Sequence, residues 1–147
     1  MSVIDLADNK VVNTIAVSGK PAGVAVSPNG DKVYISTPEA HGFAVIDARK
    51  QQLITTVKTS EGALGITVAP DGKRIYVADW FINTVSVLDA DNLEIIKTIT
   101  VGQSPSGLVV SPDNHWLPHR LLISVINWQT ACLLLISLTI KWSIPLL

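Results

Sequence analysis

A chain of 147 residues that is 48% hydrophobic and 16% charged can hold one domain with a real core, and its front part is too apolar for disorder. A net charge of −1 excludes the basic face that nucleic-acid binding needs. One cysteine, Cys132, excludes an internal disulfide, and Met1 leads into Ser2, Val3 and Ile4 with neither a basic start nor a long apolar run, so no signal peptide is visible.

A spacing of 42 residues organises the chain up to residue 114. Asp5, Asp47 and Asp89 stand 42 apart, as do Gly23, Gly65 and Gly107, and Pro28, Pro70 and Pro112. In chain order, residues 1–5 and 11–17 read as two strands, the third (C) and fourth (D) of a four-stranded unit. An A strand follows from Gly23, then a turn at Pro28, Asn29 and Gly30, a B strand over 32–37, a C strand over 42–47 and a D strand over 53–58. The second copy is clearer: A over 64–69, a turn at Pro70, Asp71 and Gly72, B over 73–79, C over 84–89 and D over 95–101. In these turns proline presets φ and glycine takes the left-handed corner of a tight hairpin. A third A strand ends at Pro112, Asp113 and Asn114. The runs are β-branched, short and evenly spaced, and no helical apolar spacing interrupts them.

Eleven strands in this order, at this period, predict an all-β fold: a partial β-propeller of four-stranded antiparallel blades. The chain enters and leaves the pattern in mid-blade. Two to three blades do not close a ring, so open blade edges predict self-association, and a truncated part of a larger propeller is expected.

The string from Gly23 to Ser36 resembles the YVTN β-propeller repeat, as does that from Gly65 to Ala78. Asn83, Thr84, Val85, Ser86, Val87, Leu88 and Asp89 are similar to the family's Asn-Thr-Val-Ser-Val-Ile-Asp. The resemblance covers 1–114. It implies a relation to lactonase-like and haem-d1-like seven-bladed propellers, often exported, at cell surfaces, or tied to quinoprotein and redox systems. Fold follows from such a likeness more firmly than function. The enzyme members carry ligands on blades that this stretch does not include.

Alternation of strands sorts the loops onto two faces. The B–C loops (37–41, 79–83) and the D–A loops (18–22, 60–63, 102–106) share the face where ligands or partners are expected. The repeats differ most there: Pro38, Glu39 and Ala40 become Trp80, Phe81 and Ile82. Trp80, Phe81, Asp79, His41 and Lys20 are therefore the candidate binding residues for a protein or small molecule. The plainer reading of the aromatics is cover for a blade edge. Asp5, Asp47 and Asp89 read as turn acceptors for backbone N–H groups rather than as a carboxylate ring, and Tyr34 and Tyr76 as blade packing. His41 is a loop histidine, and His115 and His119 flank Pro118 with no third ligand. No catalytic constellation, haem-attachment motif or metal site is visible, so neither enzyme activity nor a cofactor is expected.

Composition changes at residue 115. Residues 1–114 hold all twelve acidic residues against nine Lys and Arg, whereas 115–147 hold only Arg120 and Lys141. Where the period demands a B strand stand Leu117 and Pro118. Three readings stay open: out-of-frame sequence, favoured by the abrupt loss of phase; a membrane helix over 121–140; and strands, from the alternation of Ile136, Leu138 and Ile140 with Ser137 and Thr139. The leading functional expectation is a non-catalytic binding or scaffold module. The alternatives are part of a redox-associated or lactonase-like propeller enzyme, and a membrane-anchored surface propeller.

Overall fold

Successive side chains of a strand point to opposite faces, and in the middle strands of each blade both faces are buried, each against a different neighbour. The computed structural model describes residues 1–110 with their side chains, and the backbone of 120–127 and 134–139. Strands β1 (Ser2–Asp5) and β2 (Lys10–Thr14) pair as a two-stranded sheet. Strands β3 (Val24–Val26), β4 (Lys32–Thr37), β5 (Gly42–Asp47) and β6 (Gln52–Lys58) form a four-stranded antiparallel blade. Strands β7 (Ala63–Val68), β8 (Arg74–Asp79), β9 (Thr84–Asp89) and β10 (Ile95–Thr100) form the next. Then β11 (Pro105–Val110), β12 (Arg120–Asn127) and β13 (Leu134–Thr139) form a three-stranded antiparallel sheet. This is the blade architecture that the 42-residue period predicts.

Of residues 121–140, the described ones, 121–127 and 134–139, lie in β12 and β13. Among the described residues no helix is long and apolar enough to cross a membrane. β12 pairs with β11 as a B strand does, but begins at Arg120, four residues later than Arg74 of β8 predicts. Pro112, His115 and His119 lie outside the described residues, and the three readings of the tail rest largely on residues outside them too.

The core lies between blades. Tyr34, Phe43 and Val45 of one blade pack against Ile66, Ile75, Val77 and Leu88 of the next. The opposite side of the second blade, with Tyr76, Val85 and Val87, receives Leu108 and Val110 of β11. The opposite side of the first, with Ile35, Ala44 and Ile46, receives Val3, Ile15 and Val17. Tyr34 and Phe43 meet edge to face at 6.2 Å between ring centroids.

The repeated glycines mark close approach between inner strands. A Cβ at Gly23 would lie 2.7 Å from the Leu64 carbonyl oxygen, and one at Gly65 2.6 Å from that of Ser106. The Ser36 hydroxyl ties the same junction, accepting from Gly23 N–H at 2.7 Å and donating to the Leu64 carbonyl. In the A–B turns, Gly30 and Gly72 adopt φ of +74° and +73°. The C–D turns also place Asn9, Gln51 and Leu93, each 42 from the next, at positive φ.

Every D strand carries a bulge at one position. Register skips Val12 opposite β1, Ile54 opposite β5 and Ile96 opposite β9. A bulge twists an edge away from pairing, so the outer rim is a poor template for a further strand.

The periodic aspartates close the turns after the C strands. Asp5 Oδ1 accepts from Ala7 N–H at 2.7 Å, Asp47 Oδ1 from Lys50 N–H at 2.8 Å, and Asp89 Oδ1 from the N–H groups of Asp91 and Asn92. These backbone bonds hold the carboxyls of Asp47 and Asp89 below the ordinary range. With the folded pKa depressed, the stabilisation is fully present above the unfolded value of about 4 and is lost as pH falls from there through the lower folded pKa. Urea midpoints at pH 7 and pH 3 should therefore converge in the Asp47→Asn, Asp89→Asn double variant, relative to wild type. An unchanged gap would assign acid sensitivity to other carboxylates.

Candidate functional site

The loop face is built by strand tips and the chain that returns over them. In the first blade, residues Pro38–Ala40 make one 3₁₀ turn after β4. His41 ends it at φ 57°, and its carbonyl accepts from Thr59 N–H at 3.0 Å. Asn83 does the same in the next blade: φ 56°, its carbonyl accepting from Val101 N–H at 2.9 Å. Asn83 Oδ1 also accepts from Ser104 N–H at 2.8 Å, binding the B–C loop to the D–A loop. His41 thus occupies a left-handed slot that asparagine fills more easily, and its side chain is exposed. Lys20 Nζ reaches Glu39 Oε1 at 2.8 Å across the same two loops, and this bond holds the ammonium above its ordinary pKa. Both partners are largely exposed, so the pair adds little stability.

The second blade presents the aromatic pair. Trp80 is half-buried, its backbone N–H donating to the Gly62 carbonyl at 2.9 Å. Phe81 is 69% exposed and Ile82 47%. The Phe81 ring rests on Gly62, where a Cβ would come within 2.7 Å of Phe81 Cδ2. The sequence reading did not pick out Gly62 as this seat; its φ of +86° is the local requirement.

Asp79 does not belong to the exposed surface. It is fully buried on the side of β8 that faces the first blade, with Oδ2 accepting from Ser86 Oγ at 2.6 Å and from Thr84 Oγ1 at 3.4 Å. Oδ1 is buried without a hydrogen-bond partner. A side chain at an alternating strand position follows the strand's phase, and residue 79 is in phase with core residues Ile75 and Val77. The face therefore presents Trp80 and Phe81 on one blade and the Lys20–Glu39 pair and exposed His41 on the other, while Asp79 is buried.

The inner strands line a groove of about 290 Å³ with Gly23, Leu64, Gly65, Ile66, Ser106 and Gly107 among its walls. Its lining is mostly backbone and small side chains. Tyr34 and Tyr76 pack between blades: burial raises both phenol pKa values, with the Asp91 charge adding to it at Tyr34 and Arg74 opposing it at Tyr76.

The family described as Cytochrome D1 heme domain matches residues 1–113. The chain belongs to this family. Kuenenia stuttgartiensis hydrazine synthase is similar at 27% identity and a TM-score of 0.73, over 84% of this chain and 38% of that one. Apo AztD from Citrobacter koseri gives 20% identity and a TM-score of 0.59, over 71% and 30%. The RRP9 WD40 repeats give 13% and 0.63, over 77% and 37%. The last two likenesses concern the fold alone. This chain spans well under half the length of each. No curated protein matches the sequence.

A haem held in the inner groove would need a side chain there able to ligate iron. The groove's described walls offer glycine, aliphatic and serine side chains, none of them a ligand for iron. His41, the only histidine among the described residues, stands on the loop and not in the groove. Among the described residues no three His, Cys, Asp or Glu side chains converge. The described residues do not fit the group.

Proposed function

We propose that this chain is a non-catalytic binding or scaffold module that engages a protein through the B–C and D–A loop face. One observation carries the reading: where the first blade has an ion-paired polar loop, the second exposes Phe81 and Ile82 beside Trp80. Repeat positions serve the fold, whereas a departure confined to one exposed loop serves something outside it. Aromatic anchors seated on a rigid loop are the usual centre of a protein interface, and the absence of a basic balance favours protein over nucleic acid. The periodic carboxylates are engaged by backbone N–H groups and are poorly placed for acid–base work. Within the family, the strings at Gly23 and Gly65 support placing the repeats in the YVTN type.

The test compares wild type with Phe81→Ala and Ile82→Ser as immobilised baits. A captured protein should be lost from both variants while their unfolding free energies stay within about 0.5 kcal/mol of wild type. The purified partner should then slow amide exchange at 80–83. Equal capture by all three baits would sink the loop-face reading. A Soret shift on haemin addition, abolished by His41→Ala, would replace it with a haem-linked one.

A further inference from the structure

The loop-face end of the junction between the two four-stranded blades breaks the repeat in one direction, toward oxygen. Asp79, Thr84 and Ser86 of the second blade stand where the first blade has Thr37, Gly42 and Ala44. All three face the first blade, in phase with Ile75, Val77 and Leu88. Thr59 comes from the other side. Its counterparts Val17 and Val101, one period before and after it, pack into their own junctions among apolar neighbours.

Asp79 is 0% exposed. Its Oδ2 is engaged, accepting from Ser86 Oγ at 2.6 Å and from Thr84 Oγ1 at 3.4 Å. Its Oδ1 is buried with no hydrogen-bond partner, and among the described residues no Lys, Arg or His side chain pairs with the carboxylate. The first blade has no such debt at this position, because Thr37 Oγ1 donates to the Gly42 carbonyl at 3.1 Å. Two further buried oxygens without a partner, Thr59 Oγ1 and Ser60 Oγ, lie in the adjoining D–A loop. That loop is tied to both blades. Thr59 N–H donates to the His41 carbonyl on the first blade. Three residues on, the Gly62 carbonyl accepts from the backbone N–H of Trp80, and Ala63 pairs with Asp79 itself. The loop thus carries its two hydroxyls across the junction toward the strand end that bears the carboxylate.

We propose that this end of the junction binds one monovalent metal cation. The Asp79 carboxylate is its charged ligand, through Oδ1, and the hydroxyls of Thr59 and Ser60 are its neutral ligands. Charge decides the valence. A buried carboxylate is costly unless it is paired. A water would satisfy hydrogen bonding at Oδ1 but leave the charge; an ion of unit charge cancels it, and a divalent ion would leave a buried positive charge in its place. Donor type decides the class of metal. Carboxylate and hydroxyl oxygens are hard ligands, which suit alkali and alkaline-earth ions rather than the zinc or copper that imidazole and thiolate select. Thr59 and Ser60 are only half-buried as residues, so the ion enters through the D–A loop. Bound there, it links Asp79, and with it the start of the Trp80–Ile82 loop, to the first blade.

The experiment measures thermal midpoints of the 147-residue chain in sodium, potassium, calcium and choline chloride at equal ionic strength. Sodium or potassium should raise the midpoint above that in choline chloride, and the gain should grow with ion concentration as a single binding site requires. Asp79→Asn keeps the shape of the side chain and an acceptor for Ser86 but removes the charge, and should abolish the difference between salts. Thr59→Val restores the residue of the neighbouring repeats and should fold. It should shift the ion's effect to concentrations at least about tenfold higher, a loss that even outer-shell changes bring. The resonance of sodium-23, or of thallium-205 in place of potassium, reads binding directly: it should broaden with wild type and not with Asp79→Asn. Equal midpoints in all four salts, an alkali gain that either variant leaves intact, or a gain confined to calcium would each overturn the proposal.

Discussion

Replacing Tyr34 by alanine is expected to lower the unfolding free energy by about 3–5 kcal/mol, the usual cost of emptying a buried aromatic site. Tyr34 is 1% exposed and central to the largest inter-blade cluster, with Phe43 edge to face and Ile66, Ile75 and Val77 across the junction. The cavity cannot collapse easily, because its walls belong to two separate sheets held apart by their own hydrogen-bond ladders. Tyr34→Phe keeps the ring and should cost about 1 kcal/mol or less. Urea denaturation of the three proteins decides it. Similar midpoints for Tyr34→Ala and wild type would mean that blade packing does not depend on this junction.

Gly42→Ala should be nearly as costly, at about 3 kcal/mol, and lower the melting temperature by roughly 15 °C. A Cβ on Gly42 would overlap the Val57 carbonyl oxygen on β6, and both atoms belong to backbone that the ladder fixes. The Gly42 carbonyl also accepts from Thr37 Oγ1 at 3.1 Å, so β5 cannot simply move away. Gly30→Ala is the comparison. It has φ of +74° but nothing within 4 Å of the added carbon, so it should cost only the left-handed strain of about 1–2 kcal/mol. If the two alanine variants melt together, steric overlap is not what glycine relieves at position 42.

The two glycines also mark the limit of sequence reading. Gly30 and Gly72 were legible as turn residues because proline precedes each by two positions. Gly42 was not, since position 84 in the next repeat is Thr and nothing local distinguishes the site. Its need comes from a neighbouring strand fifteen residues away, at Val57. Asp79 shows the same limit at the candidate site. Its place at the end of a strand reads as loop surface, but the strand's phase carries it inward to Ser86. The seat of Phe81 on Gly62 depends on the D–A loop crossing over the B–C loop, a contact between segments that no local pattern announces.

The 42-residue spacing alone determined the strand order through β11, the A–B and C–D turns, the aspartates that close the latter, and the all-β blade architecture. These are local or strictly repeated features, and hydrophobic alternation with turn chemistry specifies them wherever the chain goes. Only the tertiary structure decided which side of each strand meets which blade, which carboxylate is buried, and that β12 and β13 pair in the last sheet with β11. It also decided that Val24 and Val26 stay exposed where their repeat partners are covered. Such outcomes rest on packing between segments far apart in the chain, and the free energy of that packing belongs to pairs of surfaces rather than to any one stretch of residues.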